Sequence, residues 1–279
     1  MSRGAAAVLL GALVVGCAAP RAQTGSGAGR PTEDSGGQDT ASASVVEERP
    51  LPLTGVVYLL AWELGGATVT DDGVRWTTAA GDQIRLREGY LVTSSATLVP
   101  CAELSAARTA PPGHGTFDDP SSSLIALAEP LHAPATAELA RFSFDETDYC
   151  RAHLMLSPDI NGQGRMPEQV TAVGWSLRLS ADYTTAAGVE GQLEVSTAAA
   201  WGELWSLGAL EGAEALAEGP AGPAALVLTR RLDTLFDGLS AEGADLDALA
   251  ADGGATLGGP LLAQLIADTT ARLQPAVDE

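Results

Sequence analysis

From Gln83 to Arg87 the chain reads Gln-Ile-Arg-Leu-Arg, with polar and apolar side chains exchanging at every residue. A period of two puts Ile84 and Leu86 on one side of an extended backbone and Gln83, Arg85 and Arg87 on the other, the pattern of a half-buried strand. Similar β-prone stretches recur along the body. Val56 to Leu60 with Trp62 form an apolar run that ends at Gly65-Gly66. Residues 67–70 and 74–78 flank Asp71-Asp72-Gly73, and Asp-Gly supplies the positive φ of a tight hairpin turn. Tyr90 to Val99 is a further stretch, and strands are expected near 124–128, 136–144, 149–156, 170–182 and 190–198. In the fourth of these, Trp175, Leu177 and Leu179 alternate with Ser176, Arg178 and Ser180. Many short strands punctuated by turns predict a mainly β fold, an antiparallel β-sandwich.

The C-terminal part carries a different pattern. Ala224 to Arg230 fits a last strand, whereas residues 233–239, 244–250 and 260–273 read as helical. In the last of these, Leu261, Leu262, Leu265, Ile266, Thr269 and Leu273 lie near one helical face, and Pro260 suits a first helical turn. Helices across about 233–274 are therefore expected to pack on the β core.

The N-terminus is organised for export. Residues 1–16 combine a short basic start, an apolar run through Leu9, Leu10, Leu13, Val14 and Val15, and a small residue, Gly16. This is the layout of a signal peptide, and the run is too short to span a bilayer. Leu13-Val14-Val15-Gly16-Cys17 resembles the bacterial lipobox. That resemblance implies cleavage before Cys17, a diacylglycerol on its sulfur and a further acyl chain such as palmitate on its amine. Ala18 after the Cys implies sorting to the outer membrane. Two or more acyl chains hold a protein stably on a bilayer, where one holds it only marginally. A leader cut near Ala22 is the alternative. Residues 17–50, rich in Gly, Ser, Thr and Ala, offer too little apolar surface to offset the entropy of ordering, so a tether with a reach of roughly 30 Å is expected. The folded body is expected at 51–276, large enough for a core of its own.

The formal charge is −21, and every basic residue is Arg. That balance opposes nucleic acid as a partner, because polyphosphate binding depends on basic charge. It also opposes docking on anionic lipid through a basic patch. The expected partners are a membrane, reached through the lipid, and an envelope protein; Trp201 and Trp205 could contribute to such a contact, although core packing is the reading that fits them better.

With Cys17 lipidated, Cys101 and Cys150 remain as an even pair in an oxidising compartment. On a strand, Cys150, Ala152, Leu154 and Leu156 face one way, and that side is apolar. A buried Cys101–Cys150 disulfide is expected, closing a loop of about 50 residues and contributing roughly 4 kcal/mol in the chain-entropy description. The chain has three His: His114, His132 and His153. Strand geometry places His153 and Met155 on one face, and an imidazole beside a thioether suits a soft metal such as Cu(I). His114, in a loop, can complete the set; His132, flanked by Pro130 and Pro134, is a fainter candidate. Asp118 and Asp119 read as a solvated loop pair or as ligands for a hard cation. The Tyr149-Cys150-Arg-Ala-His153 stretch, and Asp233-Thr-Leu-Phe236-Asp237-Gly238 before a helical tail, resemble the methanobactin-associated periplasmic copper-binding proteins. That resemblance implies copper as a ligand, with His153 as the position carried over.

Enzymatic signatures are few. The sequence has no G-x-S-x-G elbow, no H-E-x-x-H and no Walker loop, and Gly162-x-Gly164 is a lone turn signal. A hydrolase with a Ser–His–Asp site or a carboxylate pair assembled from distant residues stays open as an alternative. The leading expectation is an envelope-anchored lipoprotein with a non-enzymatic binding or structural role; copper binding is the second.

Overall fold

The computed structural model describes residues 48–104, 120–124, 126–158, 174–237, 246, 254 and 256–276. The leader, Cys17 and most of the expected tether lie outside the described residues, as do His114, Asp118, Asp119 and all but Leu246 of the expected helix at 244–250.

The chain is mainly β. Eleven strands follow in order: β1 (Leu51–Glu63), β2 (Thr68–Thr70), β3 (Gly73–Thr77), β4 (Gln83–Pro100), β5 (Leu127–Pro130), β6 (Ala137–Leu156), β7 (Leu177–Thr184), β8 (Glu190–Thr197), β9 (Trp201–Ser206), β10 (Gly222–Arg231) and β11 (Thr270–Pro275). The α-helices that lie whole among the described residues are α1 (Ala213–Glu218) and α2 (Gly258–Ala267), both among the later strands. The strands join into one curled mixed sheet with the central path β11-β10-β1-β6-β4-β3-β2.

Two long strands replace several of the expected short ones. β4 has 18 residues and β6 has 20. The expected stretches Gln83–Arg87 and Tyr90–Val99 run together as β4, which bends at register shifts between Leu86 and Glu88 and between Thr93 and Ser95. Such bulges re-aim a strand without ending it. Gly89 sits at the first bend, where a Cβ would stand 3.1 Å from the Leu179 Cβ and 3.2 Å from that of Leu131. Each long strand changes neighbours along its length. One edge of β4 pairs first with β7 and then with β6; the other pairs with β3 and then β5. β6 likewise pairs β1 and then β9 on the edge away from β4. The strands are thereby stitched into one sheet where two separate sheets were expected.

The expected all-antiparallel pairing is corrected at β1, which runs parallel to β10 over Leu53–Glu63. Parallel neighbours need a long crossover, and here it comprises everything from β2 to α1. The C-terminal helix is also shorter than its periodicity suggests. It ends at Ala267, and Thr270–Pro275 continues as β11, antiparallel to β10. Leu273 matches the helical period by coincidence; pairing the otherwise open edge of β10 satisfies its backbone groups instead. Within the expected helix at 233–239, residues 233–236 form turns and Asp237 is helical, with the remainder outside the described residues. β9 and α1 were not anticipated.

The core has two parts. Val74, Trp76, Ile84, Leu86, Leu179 and Leu193 from β3, β4, β7 and β8 meet Leu261, Leu262, Leu265 and Ile266 of α2. The second part joins β1, the end of β4, β6, β10, α1 and β11 around Leu53, Tyr58, Leu98, Leu154, Leu226 and Leu273. The Cys101–Cys150 disulfide is present, with Cα atoms 4.9 Å apart. The Pro100–Tyr149 pairing of β4 and β6 brings the two cysteines side by side, and Cys150, Ala152, Leu154 and Leu156 all face inward as the alternation predicts. Entry to β1 is pinned by Glu48, which accepts hydrogen bonds from Arg151 Nε (2.8 Å) and Ser206 Oγ (2.9 Å). Among the described residues, no helix is long and apolar enough to cross a membrane.

Candidate binding trough

Strands β2, β3, β4, β7 and β8 pair in that order, and one face of β3, β4, β7 and β8 packs in the core formed with α2 and its neighbours, while all three β2 residues are exposed. The alternation that buries Val74, Trp76, Ile84, Leu86, Ala181 and Tyr183 turns the intervening residues outward. Those residues line an open trough of about 850 Å³.

Two cross-strand rows run along it. The first is Thr68–Arg75–Arg85–Asp182–Gln192. Arg75 stands directly opposite Arg85, an unfavourable like-charge pairing by itself. Two carboxylates compensate it. Asp72 bridges both guanidinium groups, and Asp182 takes Arg85 through Nε (2.8 Å) and Nη2, contacts Arg87 (3.4 Å) and accepts from Gln192 Nε2 (3.1 Å). Hydrogen bonds from Thr70, Arg75 and Arg85 hold the Asp72 carboxyl well below the usual carboxylate range, and the bond to Asp182 raises the Arg85 guanidinium further. The second row is Thr77–Gln83–Thr184–Glu190. Thr184 is half-buried and the other three are exposed. None of these four side chains makes a hydrogen bond or ion pair among the described residues. A committed row thus lies beside an uncommitted one.

A second polar group lies inside the molecule. Arg230 Nη1 donates to Glu129 Oε2 (2.7 Å), Trp62 Nε1 donates to the same oxygen (3.1 Å), and Thr93 Oγ1 donates to Glu129 Oε1 (2.6 Å). Arg230 Nη2 completes the ring by donating to Thr93 Oγ1 (2.9 Å), and its guanidinium lies 5.8 Å from the centre of the Trp62 ring. Arg230 is fully buried and Glu129 is 3% exposed. Burial pushes the Glu129 carboxyl up against the opposing pull of Arg230, and pushes Arg230 down against that of Glu129. Each member is tied to strands β1, β4, β5 and β10. The arrangement cross-braces those strands.

The sequence candidates distribute as follows. His153 and Met155 are half-buried on one face of β6, with cross-strand neighbours Thr97 and Leu204 for His153 and Ser95 and Gly202 for Met155. Burial lowers the His153 pKa and so favours the neutral imidazole. Among the described residues, no group of three or more His, Cys, Asp and Glu side chains is placed to hold a metal. His132 packs edge-on against Tyr90, with Nδ1 3.3 Å from the backbone of Gly89. Trp201 is 45% exposed, whereas Trp205 packs against the second core.

The segment around Asp233 and Asp237 acts on backbone turns. Asp233 accepts from Gly66 N (2.7 Å) and from Arg231 Nε (2.6 Å), Asp237 accepts from Ala79 N (2.8 Å), and Phe236 lies 5.9 Å from the Trp76 ring. Gly65, at φ 57°, leaves room for this clamp: a Cβ there would fall 2.3 Å from the Asp233 carboxylate. Those acids lock the β1–β2 and β3–β4 connections. Nothing in the sequence marks the trough residues as a site, because Thr and Gln on an exposed strand face carry no motif. Their one signal was the period-two alternation around Gln83–Arg87. Comparison of the chain with protein-family models, with curated proteins and with solved structures finds no match.

Proposed function

We propose that this protein is a non-enzymatic binding or structural lipoprotein of the bacterial envelope. It is anchored through acyl chains on Cys17, with the outer membrane as its address, and it engages its partner through the trough. The uncommitted row Thr77–Gln83–Thr184–Glu190 carries this reading. Four polar side chains stand in register on a strand face whose neighbouring row is fixed by ion pairs, and such preorganisation lowers the cost of binding. The trough residues form no nucleophile–base pair, which favours recognition over catalysis.

The test uses the full chain in its native envelope. A photo-crosslinking residue at Gln83 should give a mass-shifted adduct, and the same residue at Gln274 on β11 should not. Equal yields at both positions, or none at either, defeat the binding role. Mass spectrometry of the mature N-terminus should show an acylated Cys17, and a chain that begins downstream without acyl mass removes the anchor.

A second reading, copper binding, is favoured by the shared half-buried face of His153 and Met155. It predicts that copper bound by the purified chain is lost in His153→Ala. Full occupancy in that variant excludes His153.

A further inference from the structure

Building on the binding role just proposed, we infer that the trough takes an uncharged polyhydroxylated chain, a segment of neutral glycan. A sugar hydroxyl donates one hydrogen bond and accepts others, so it is best met by donors and acceptors interleaved at short spacing. The uncommitted row provides this in sequence: a hydroxyl at Thr77, an amide at Gln83, a hydroxyl at Thr184 and a carboxylate at Glu190. Strand spacing of about 4.8 Å is comparable to the advance of one pyranose unit along an extended glycan. Behind this row, the ion pairs keep the guanidinium of Arg85 in a fixed orientation.

Two competing ligand classes fit less well. An anion would need net positive potential, and here Arg75, Arg85 and Arg87 are matched by Asp72, Asp182 and Glu194, with Glu190 adding negative charge. A protein partner would need aromatic or aliphatic anchors at the centre of the contact. The apolar residues bordering this trough, Trp76, Ile84 and Tyr183, are no more than 6% exposed and are engaged in the core. The trough is also open and lined from five strands, an arrangement suited to a chain and poorly suited to a small enclosed molecule.

The experiment is calorimetric titration of the full purified protein with maltohexaose, cellohexaose and chitohexaose, alongside the Gln83 crosslink. At least one hexasaccharide should bind. The double variant Gln83→Ala/Thr184→Ala should weaken it about tenfold or more, the loss expected from two hydrogen bonds. Gln274→Ala should bind as the parent does. The replaced side chains are exposed at Gln83 and half-buried at Thr184 and Gln274, and an unchanged melting temperature confirms the folding of both variants. Binding that survives the double variant overturns the assignment to the trough. If no hexasaccharide binds while Gln83 still crosslinks to a protein, the glycan is wrong and the binding role stands. If neither occurs, both fall.

Discussion

Arg85 and Arg230 both face carboxylates from neighbouring strands, and the two sites use that chemistry for opposite ends. Around Arg230 the guanidinium, Glu129, Thr93 and Trp62 close on one another away from water. Around Arg85 the same charge pairing is 39% exposed on the Arg side and borders a row of side chains that have no partner among the described residues. Charges in the interior are costly unless paired, so the inner group has little freedom to be anything but a brace. Charges at the surface cost little and add little stability, which leaves the outer group free to hold a recognition face in shape. The difference is one of solvent, since the residue types are nearly the same.

The comparison is most sharply tested by breaking the inner pair. Glu129→Gln should destabilise the protein by about 3–5 kcal/mol in chemical denaturation, because it leaves the Arg230 charge buried without a counter-charge. Glu129→Leu/Arg230→Met should cost less than the sum of its two single changes, as coupled neighbours do; strict additivity would show that the pair is not coupled. Next in size is the disulfide. Cys101→Ser/Cys150→Ser should lose about 2–4 kcal/mol, since the bond closes a long loop in the unfolded chain across 49 residues, and an unchanged midpoint would mean that the β4–β6 pairing needs no staple. At the outer pair, Asp182→Asn should shift the midpoint no more than an ordinary surface substitution does, and that small shift should fade further in high salt. A loss as large as that of Glu129→Gln would erase the distinction between the sites.

The smallest expected effect concerns Asp233. Its carboxyl is held below the ordinary value of 3.8 by the hydrogen bond from Arg231, with help from Gly66 N. A depressed carboxyl adds stability above its unfolded pKa, and that stability is lost as pH falls through the folded value. Asp233→Asn should therefore be less stable than the parent near neutral pH, and the gap should close below about pH 3.8. A gap that widens in acid would contradict the clamp.

Much of the β body was legible from local pattern. The alternation of Ile84 and Leu86, the Asp72-Gly73 turn and the inward face from Cys150 to Leu156 each depend on neighbours a few residues apart, so strand geometry translates them directly. The disulfide was legible for the same reason, once Cys150 was known to face inward. Less could be read where the deciding contact was remote. The pairing of Glu129 with Arg230 spans 101 residues, and before folding each is only a charge in an apolar run. His153 and Met155 share a face as their spacing required, yet spacing could not say what stands opposite them.

By itself, then, the order of residues determined which stretches extend, which side of each is apolar and where tight turns fall, because these follow from sterics and from a period that is local. Tertiary structure alone decided that β1 lies parallel to β10, that Thr270–Pro275 leaves a helical pattern to complete a sheet edge, and that Thr77, Gln83, Thr184 and Glu190 line up as one row. Those outcomes depend on which backbone edges find each other across the whole chain. Satisfying buried hydrogen-bonding groups is a global requirement, and no local window of sequence contains it.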